Sequence, residues 1–349
     1  MVMYRCSTSL KFWKKWISSL LEFDATPSYQ SVRDAADNLK GIVVRTPLLE
    51  SMALNEKLGA RLFLKCETLQ HTGSFKFRGA YNTLSRLSAA QKKNGVFAYS
   101  SGNHAQGIAL SAKMLGIPAT ILMPEDAPEI KRTNTRAYGA QVITYDRYTE
   151  TREEIGARIA AEGNLTLVKP YDNYFVISGQ GTTGIEIAEQ LKEIQAAAHI
   201  CVCPAGGGGL IAGTSLAMRE LSPKTKLYSA EPEFFDDTRM SLATGKRLPN
   251  EGNHRSICDA IVTPMPGEIT FEVNKVTLTA GLAVTDAETA SAMRTAFDYF
   301  KCVIEPGGAV ALAALLSQKL DIAGKTVVAV ASGGNVDPVL YSRILGGEI

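Results

Sequence analysis

The chain lacks any run of apolar residues long enough to cross a bilayer, which excludes a membrane-spanning helix and leaves no membrane partner to expect. It also lacks a charge excess. Lys and Arg number 37 against 35 Asp and Glu, and a net charge of +2 gives no electrostatic footprint for nucleic acid. Cysteine is sparse, and none of the six falls in a zinc-type spacing. Cys6, Cys66, Cys201, Cys203, Cys258 and Cys302 read as reduced, mostly buried thiols of a cytoplasmic protein. Cys201 and Cys203 are expected on opposite faces of one strand. Both tryptophans, Trp13 and Trp16, precede the regular pattern. The apolar run around them is too short and interrupted for a signal peptide, and no small-residue cleavage site follows. Residues 1–27 are therefore expected to form a poorly ordered extension.

What remains is a soluble globular composition, 45% hydrophobic and 21% charged, in a chain long enough for one large or two ordinary domains. Val32, Ala35, Ala36 and Leu39 have helical spacing that Gly41 ends. Strand-like runs follow at 61–65, 96–99, 119–123, 141–145, 165–168, 199–203, 227–230 and 326–331. Helical segments at 79–87, 107–115, 152–161 and 185–194 lie between them. Short apolar strands alternating with helices predict a doubly wound, mostly parallel α/β architecture, with ligand sites at the carboxyl ends of strands.

Several motifs fall at such ends. Lys76 sits between Phe75 and Phe77 in a glycine-bounded segment. Apolar neighbours disfavour the ammonium, so more free amine is available to attack a carbonyl. The plainer alternative is a helix-start lysine lying over apolar surface. Ser100-Ser101-Gly102-Asn103-His104 joins a strand to a helix N-terminus, an arrangement that suits a carboxylate or serves as an ordinary N-cap. Gly206-Gly207-Gly208-Gly209-Leu210 lets successive N–H groups curl around a phosphate. Gly207, Gly209 and Ala212 also satisfy G-x-G-x-x-A with Glu231 ending the next strand, so a dinucleotide competes for that loop. Ser332, in Ser332-Gly333-Gly334-Asn335, could face a heterocyclic nitrogen, and a neutral partner to a pyridoxal ring favours quick expulsion of a β-leaving group. The acidic stretch 231–237 suits Mg²⁺ or Ca²⁺, or is a solvated loop. Glu305, before Gly307-Gly308, either approaches a cofactor or caps a helix.

Taken in order, the segments 74–80, 100–104, 206–210 and 332–335 resemble the fold-type-II pyridoxal phosphate enzymes, and within them the threonine/serine dehydratases and serine racemases. The similarity runs from about Ser28 onward. The dinucleotide reading accounts for one of the four segments and leaves Lys76 idle. The resemblance implies a tryptophan-synthase-β-like fold, with a large cofactor domain (28–94 and 172–349) around a small mobile domain (95–171), and a cytoplasmic homodimer. It implies Lys76 as the Schiff-base lysine, Phe75 packed on the ring and Asn103 bonded to the pyridoxal hydroxyl. Ser100, Ser101, Asn103 and His104 would hold the substrate carboxylate. Gly206, Gly207, Gly208, Gly209 and Leu210 would cradle the phosphate, Ser332 would meet the ring nitrogen and Glu305 would lie near the cofactor. Glu231, the Phe235 carbonyl and Asp237 are similar to the divalent-cation site (Mg²⁺ or Ca²⁺) of the racemase-like and some dehydratase members. Ser101 stands where racemases carry their second base. The implied activity is β-elimination from L-threonine or L-serine, giving 2-oxobutanoate or pyruvate and ammonia. Serine racemisation, another β-hydroxy amino acid, and a non-catalytic dinucleotide-binding protein are the alternatives. Two departures matter. The chain after Gly346 is too short for a regulatory domain, so control by isoleucine is not expected. Asp259-Ala260-Ile261 stands where many relatives carry Asp-Gly, which bears on packing at the ring face and on substrate size.

Overall fold

The strand Thr326–Ala331 is apolar at every position after the first, as befits a strand buried on both faces. A computed structural model of the protein describes residues 26–100, 102–127, 129–146 and 148–349. The strands are β1 (Leu48–Glu50), β2 (Arg61–Cys66), β3 (Val96–Tyr99), β4 (Ala119–Pro124), β5 (Gln141–Tyr145), β6 (Thr166–Leu167), β7 (Ile200–Pro204), β8 (Lys226–Pro232), β9 (Ala280–Val284) and β10 (Thr326–Ala331). Six form one sheet in the order β1-β2-β10-β7-β8-β9, and four form another in the order β5-β4-β3-β6. Among the described strands every pairing is parallel except β1 with β2. The chain thus adopts the doubly wound, mostly parallel α/β architecture expected of it.

Strand periodicity divides the core. In β10, Val327, Ala329 and Ala331 face one hydrophobic cluster, built on the helix Pro306–Leu316, while Val328 and Val330 face another with Leu210 and Ile211. The same alternation corrects one expectation. Cys201 and Cys203 share a face of β7, with Val202 opposite, because side chains two residues apart in a strand point the same way. The five described cysteines are free and buried; Cys6 lies outside the described residues, as does the expectation for residues 1–25.

Some boundaries moved. The helix expected from Ile185 begins at Tyr174, because Asn173 accepts hydrogen bonds from the N–H groups of Phe175 and Val176 and its small residues carry no apolar stripe to read. Smallness there serves close packing. A Cβ on Gly179 would lie 2.7 Å from the Arg78 carbonyl oxygen, so this helix touches the backbone of the one that starts at Lys76.

Candidate active site

Lys76 is the first residue of the helix Lys76–Ser85, and the segment before it is stitched to the end of β10. Phe75 N–H donates to the Ser332 carbonyl at 3.1 Å, and Gly334 N–H donates to Gly73 O at 2.9 Å. Two residues on, the fully buried Arg78 donates to Glu67 (2.7 and 2.8 Å) and to Glu186 (2.6 and 2.9 Å). Lys65 completes this network at 2.6 Å from Glu186. The lysine's approach is therefore fixed from both sides. Its Nζ donates to Pro170 O at 2.7 Å and lies 5.1 Å from the centre of the Phe75 ring. Burial pulls its pKa down to about 8, against the opposing pull of Glu305.

The glycine run follows β7 and opens the helix Gly209–Leu221, whose N-terminal N–H groups are unpaired by the helix itself. The loop is closely approached. A Cβ on Gly207 would lie 2.3 Å from atoms of the Tyr171 ring. Leu210 turns its side chain into the core, leaving its backbone to the loop. Both side-chain polar atoms of Gln180 are buried without a partner, and Oε1 is 2.7 Å from where a Cβ on Gly209 would stand. Sequence reasoning missed Gln180. The signal was there in Ser178-Gly179-Gln180-Gly181-Thr182, a polar and small run buried inside a helix.

Across the cleft, Asn103 donates to Glu305 Oε1 at 2.5 Å and accepts from Asn335 at 2.7 Å, while Asn335 also donates to Thr72 O at 2.8 Å. Burial raises the Glu305 carboxyl to about 7; Lys131 opposes this, Asp259 adds to it, and Glu305 Oε2 has no partner. Gly333 and the buried Ser332 lie at the same point, with Gly333 so close that a Cβ would strike Glu305. Asn103, Glu305 and Ser332 are therefore brought together with Lys76. His104 is buried with Nε2 2.9 Å from Val168 O, and burial, then the Lys76 charge, drives its pKa down to about 3. It is a neutral ring tied to the backbone. The half-buried Ser100 accepts from Gly102 N–H at 3.2 Å, and Ser101 lies outside the described residues.

The acidic stretch folds tightly. Glu231 is buried and accepts the N–H groups of Thr238 and Arg239 at 2.9 and 2.8 Å. Burial and the Asp237 charge push its pKa well up. Asp237 accepts from Asn250 at 2.8 Å through Oδ1, Oδ2 has no partner, and burial raises the group to about 7. Phe235 sits between them, its own N–H donating to Pro232 O. Among the described residues no group of three or more His, Cys, Asp or Glu converges on a metal-sized site.

Residues 39–333 match the family described as pyridoxal-phosphate dependent enzymes. The chain belongs to that family. As a fold-type-II pyridoxal phosphate enzyme it is similar to the L-threo-3-hydroxyaspartate ammonia-lyase of Saccharomyces cerevisiae, 43% identical over 92% of this chain and 97% of that one. It is also similar to the serine racemase of Schizosaccharomyces pombe, 41% identical over 91% and 97%. Among solved structures it resembles the threonine deaminase of T.th., with 40% identity, a TM-score of 0.84, and coverage of 89% of this chain and 99% of that one. The residues present fit the cofactor: a half-buried amine whose pKa desolvation lowers, a glycine cradle at a helix N-terminus, and an unpartnered buried amide, Gln180, beside that cradle.

Proposed function

We propose that the protein is an ammonia-lyase that removes water from L-3-hydroxy amino acids by β-elimination and releases ammonia and a 2-oxo acid. The observation that carries this reading is the half-buried Lys76 amine, its pKa pulled down to about 8, in a cleft that also gathers the glycine loop, Asn103 and Glu305. Lys76 and Phe75 would hold the cofactor ring, the N–H groups of 206–210 its phosphate, Asn103 its hydroxyl and Ser332 its ring nitrogen. When bound, pyridoxal phosphate supplies an electron sink for the charge left at the substrate Cα. Lys76 takes the α-proton as general base, which its lowered pKa suits. Ser100, Ser101 and the N-terminus of the helix Asn103–Leu115 receive the α-carboxylate, and neutral His104 holds that turn to Val168. The hydroxyl leaves from Cβ, and the released enamine takes up water to give the 2-oxo acid and ammonia.

L-Threonine and L-serine, expected from the sequence, stand beside L-threo-3-hydroxyaspartate, which the names of two relatives at 43% and 45% identity specify. Residues 95–171 are read as the small mobile domain, a reading supported by a four-stranded sheet that lies wholly between Val96 and Leu167. Glu231, Asp237 and the Phe235 carbonyl are read as a site for Mg²⁺ or Ca²⁺. Two mutually repelling buried carboxylates, one with an unpartnered oxygen, support it.

The test is 2-oxo acid release from L-threonine, L-serine and L-threo-3-hydroxyaspartate by wild type and Lys76→Ala. Release by wild type that drops roughly a thousandfold or more in the variant is the expected result. No release from any of them, with L-serine turning slowly into D-serine, would move the reading to a racemase.

A further inference from the structure

Lys131 stands on the helix Glu129–Ala137, which leads from β4 to β5 in the four-stranded sheet. Its Nζ lies 2.8 Å from Oδ2 of Asp259, in a turn that belongs to the six-stranded side. That turn is fixed. Asp286 accepts the Ser256 hydroxyl at 2.6 Å and the Ile257 N–H at 3.1 Å, while Ala260 and Ile261 lie against Gly307, beside Glu305, and Ile261 against Gly206 of the glycine loop. The ion pair therefore spans the two sheet units at the border of the cofactor cleft. Glu305 feels both charges, and Lys131 is the first to hold its carboxyl down.

The two members differ in exposure. The Lys131 side chain is 10% exposed and that of Asp259 58%. Asp259 can return to water cheaply, whereas Lys131 would be left as an uncompensated, nearly buried cation. Such an ammonium can accept a different carboxylate but cannot do without one.

We propose that Lys131 recognises the side-chain carboxylate of a 3-hydroxy dicarboxylic amino acid, and that this carboxylate displaces Asp259. The proposal rests on the ammonia-lyase reading and narrows it to a substrate class. Serine and threonine leave the Lys131–Asp259 pair closed. 3-Hydroxyaspartate opens it and takes the ammonium for its own second carboxylate, so Asp259 competes with that substrate alone.

The experiment uses the holoenzyme, with Lys131→Met and Asp259→Asn beside wild type. The ratio of kcat/KM for L-threo-3-hydroxyaspartate to that for L-serine is expected to fall about tenfold or more in Lys131→Met and to rise in Asp259→Asn. A ratio unchanged in Lys131→Met, with both substrates slowed alike, would mean the pair merely latches the two units together, and overturns the proposal. Succinate and butyrate, the carbon skeletons without reacting groups, give a readout independent of turnover. Calorimetry should find succinate bound more tightly than butyrate in wild type and equally in Lys131→Met; equal binding in wild type also overturns it. Wild type inactive on every 3-hydroxy amino acid would instead sink the ammonia-lyase reading, and the succinate comparison would still decide whether Lys131 binds a dicarboxylate.

Discussion

Lys76 and Glu305 are groups that desolvation drives in opposite senses, the half-buried amine down to about 8 and the buried carboxyl up to about 7. Each gains from the other's charge, so both stand near the pH at which a proton changes hands. Free amine is the form that attacks a carbonyl. In the cofactor-free protein the rate of cofactor capture should therefore rise with pH and level off above about 8, followed as visible absorbance after mixing with pyridoxal phosphate. A rate flat between about pH 6 and about pH 9 would contradict the lowered pKa. The lysine's setting against an aromatic ring was legible in the sequence from its phenylalanine neighbours. Glu305's link to Asn103 was not, since 202 positions separate them and only the fold closes that distance.

At the scale of elements, the Lys76 helix is held by charge as much as by apolar packing. Arg78 bridges Glu67, on the turn after β2, and Glu186, on the helix Tyr174–Glu193, with Lys65 of β2 as the fourth member. Burial works against every one of these charges. Arg78 nonetheless keeps its pKa raised because two carboxylates face it, and Glu186 stays low because Arg78 and Lys65 do. Arg78→Met leaves two buried carboxylates with one ammonium between them, and should cost about 3–5 kcal/mol of stability in urea unfolding. The double replacement of Arg78 and Glu67 by apolar residues should cost less than Arg78→Met, because it removes the stranded charge and leaves the Lys65–Glu186 pair intact. Nothing in a single sequence pairs Arg78 with Glu67 and Glu186. Their burial depends on three elements meeting. Strand positions, by contrast, were legible: 141–145 and 326–331 come out with the expected ends, because apolar alternation is a local property.

For the whole molecule, the motifs read along the chain meet because parallel strands present their carboxyl ends to one side. β2, β7 and β10 are neighbours in the sheet, so the segments that follow them, with Lys76, the glycine run and Ser332, share one cleft. The order of strands was not legible, since parallel neighbours are joined by long crossovers. The acidic stretch follows β8, the strand beside β7 in the same sheet. Asp237 has a folded-state pKa of about 7 against an ordinary 3.8, so the folded protein holds a proton that the unfolded chain has already released. Its contribution is favourable below about pH 4 and is lost as pH rises through about 7. Without added cation, wild type should lose stability across that window more steeply than Asp237→Asn, as measured by urea unfolding at a series of pH values. A cation binds the ionised carboxylates, so Mg²⁺ or Ca²⁺ should stabilise wild type more at about pH 8 than at about pH 5, by about 2.7 kcal/mol at a hundred times its dissociation constant, and leave Asp237→Asn unmoved. If wild type and Asp237→Asn share one pH profile, the Asp237 carboxyl is not held above its ordinary pKa by the fold, and if neither responds to cation the cation reading falls with it.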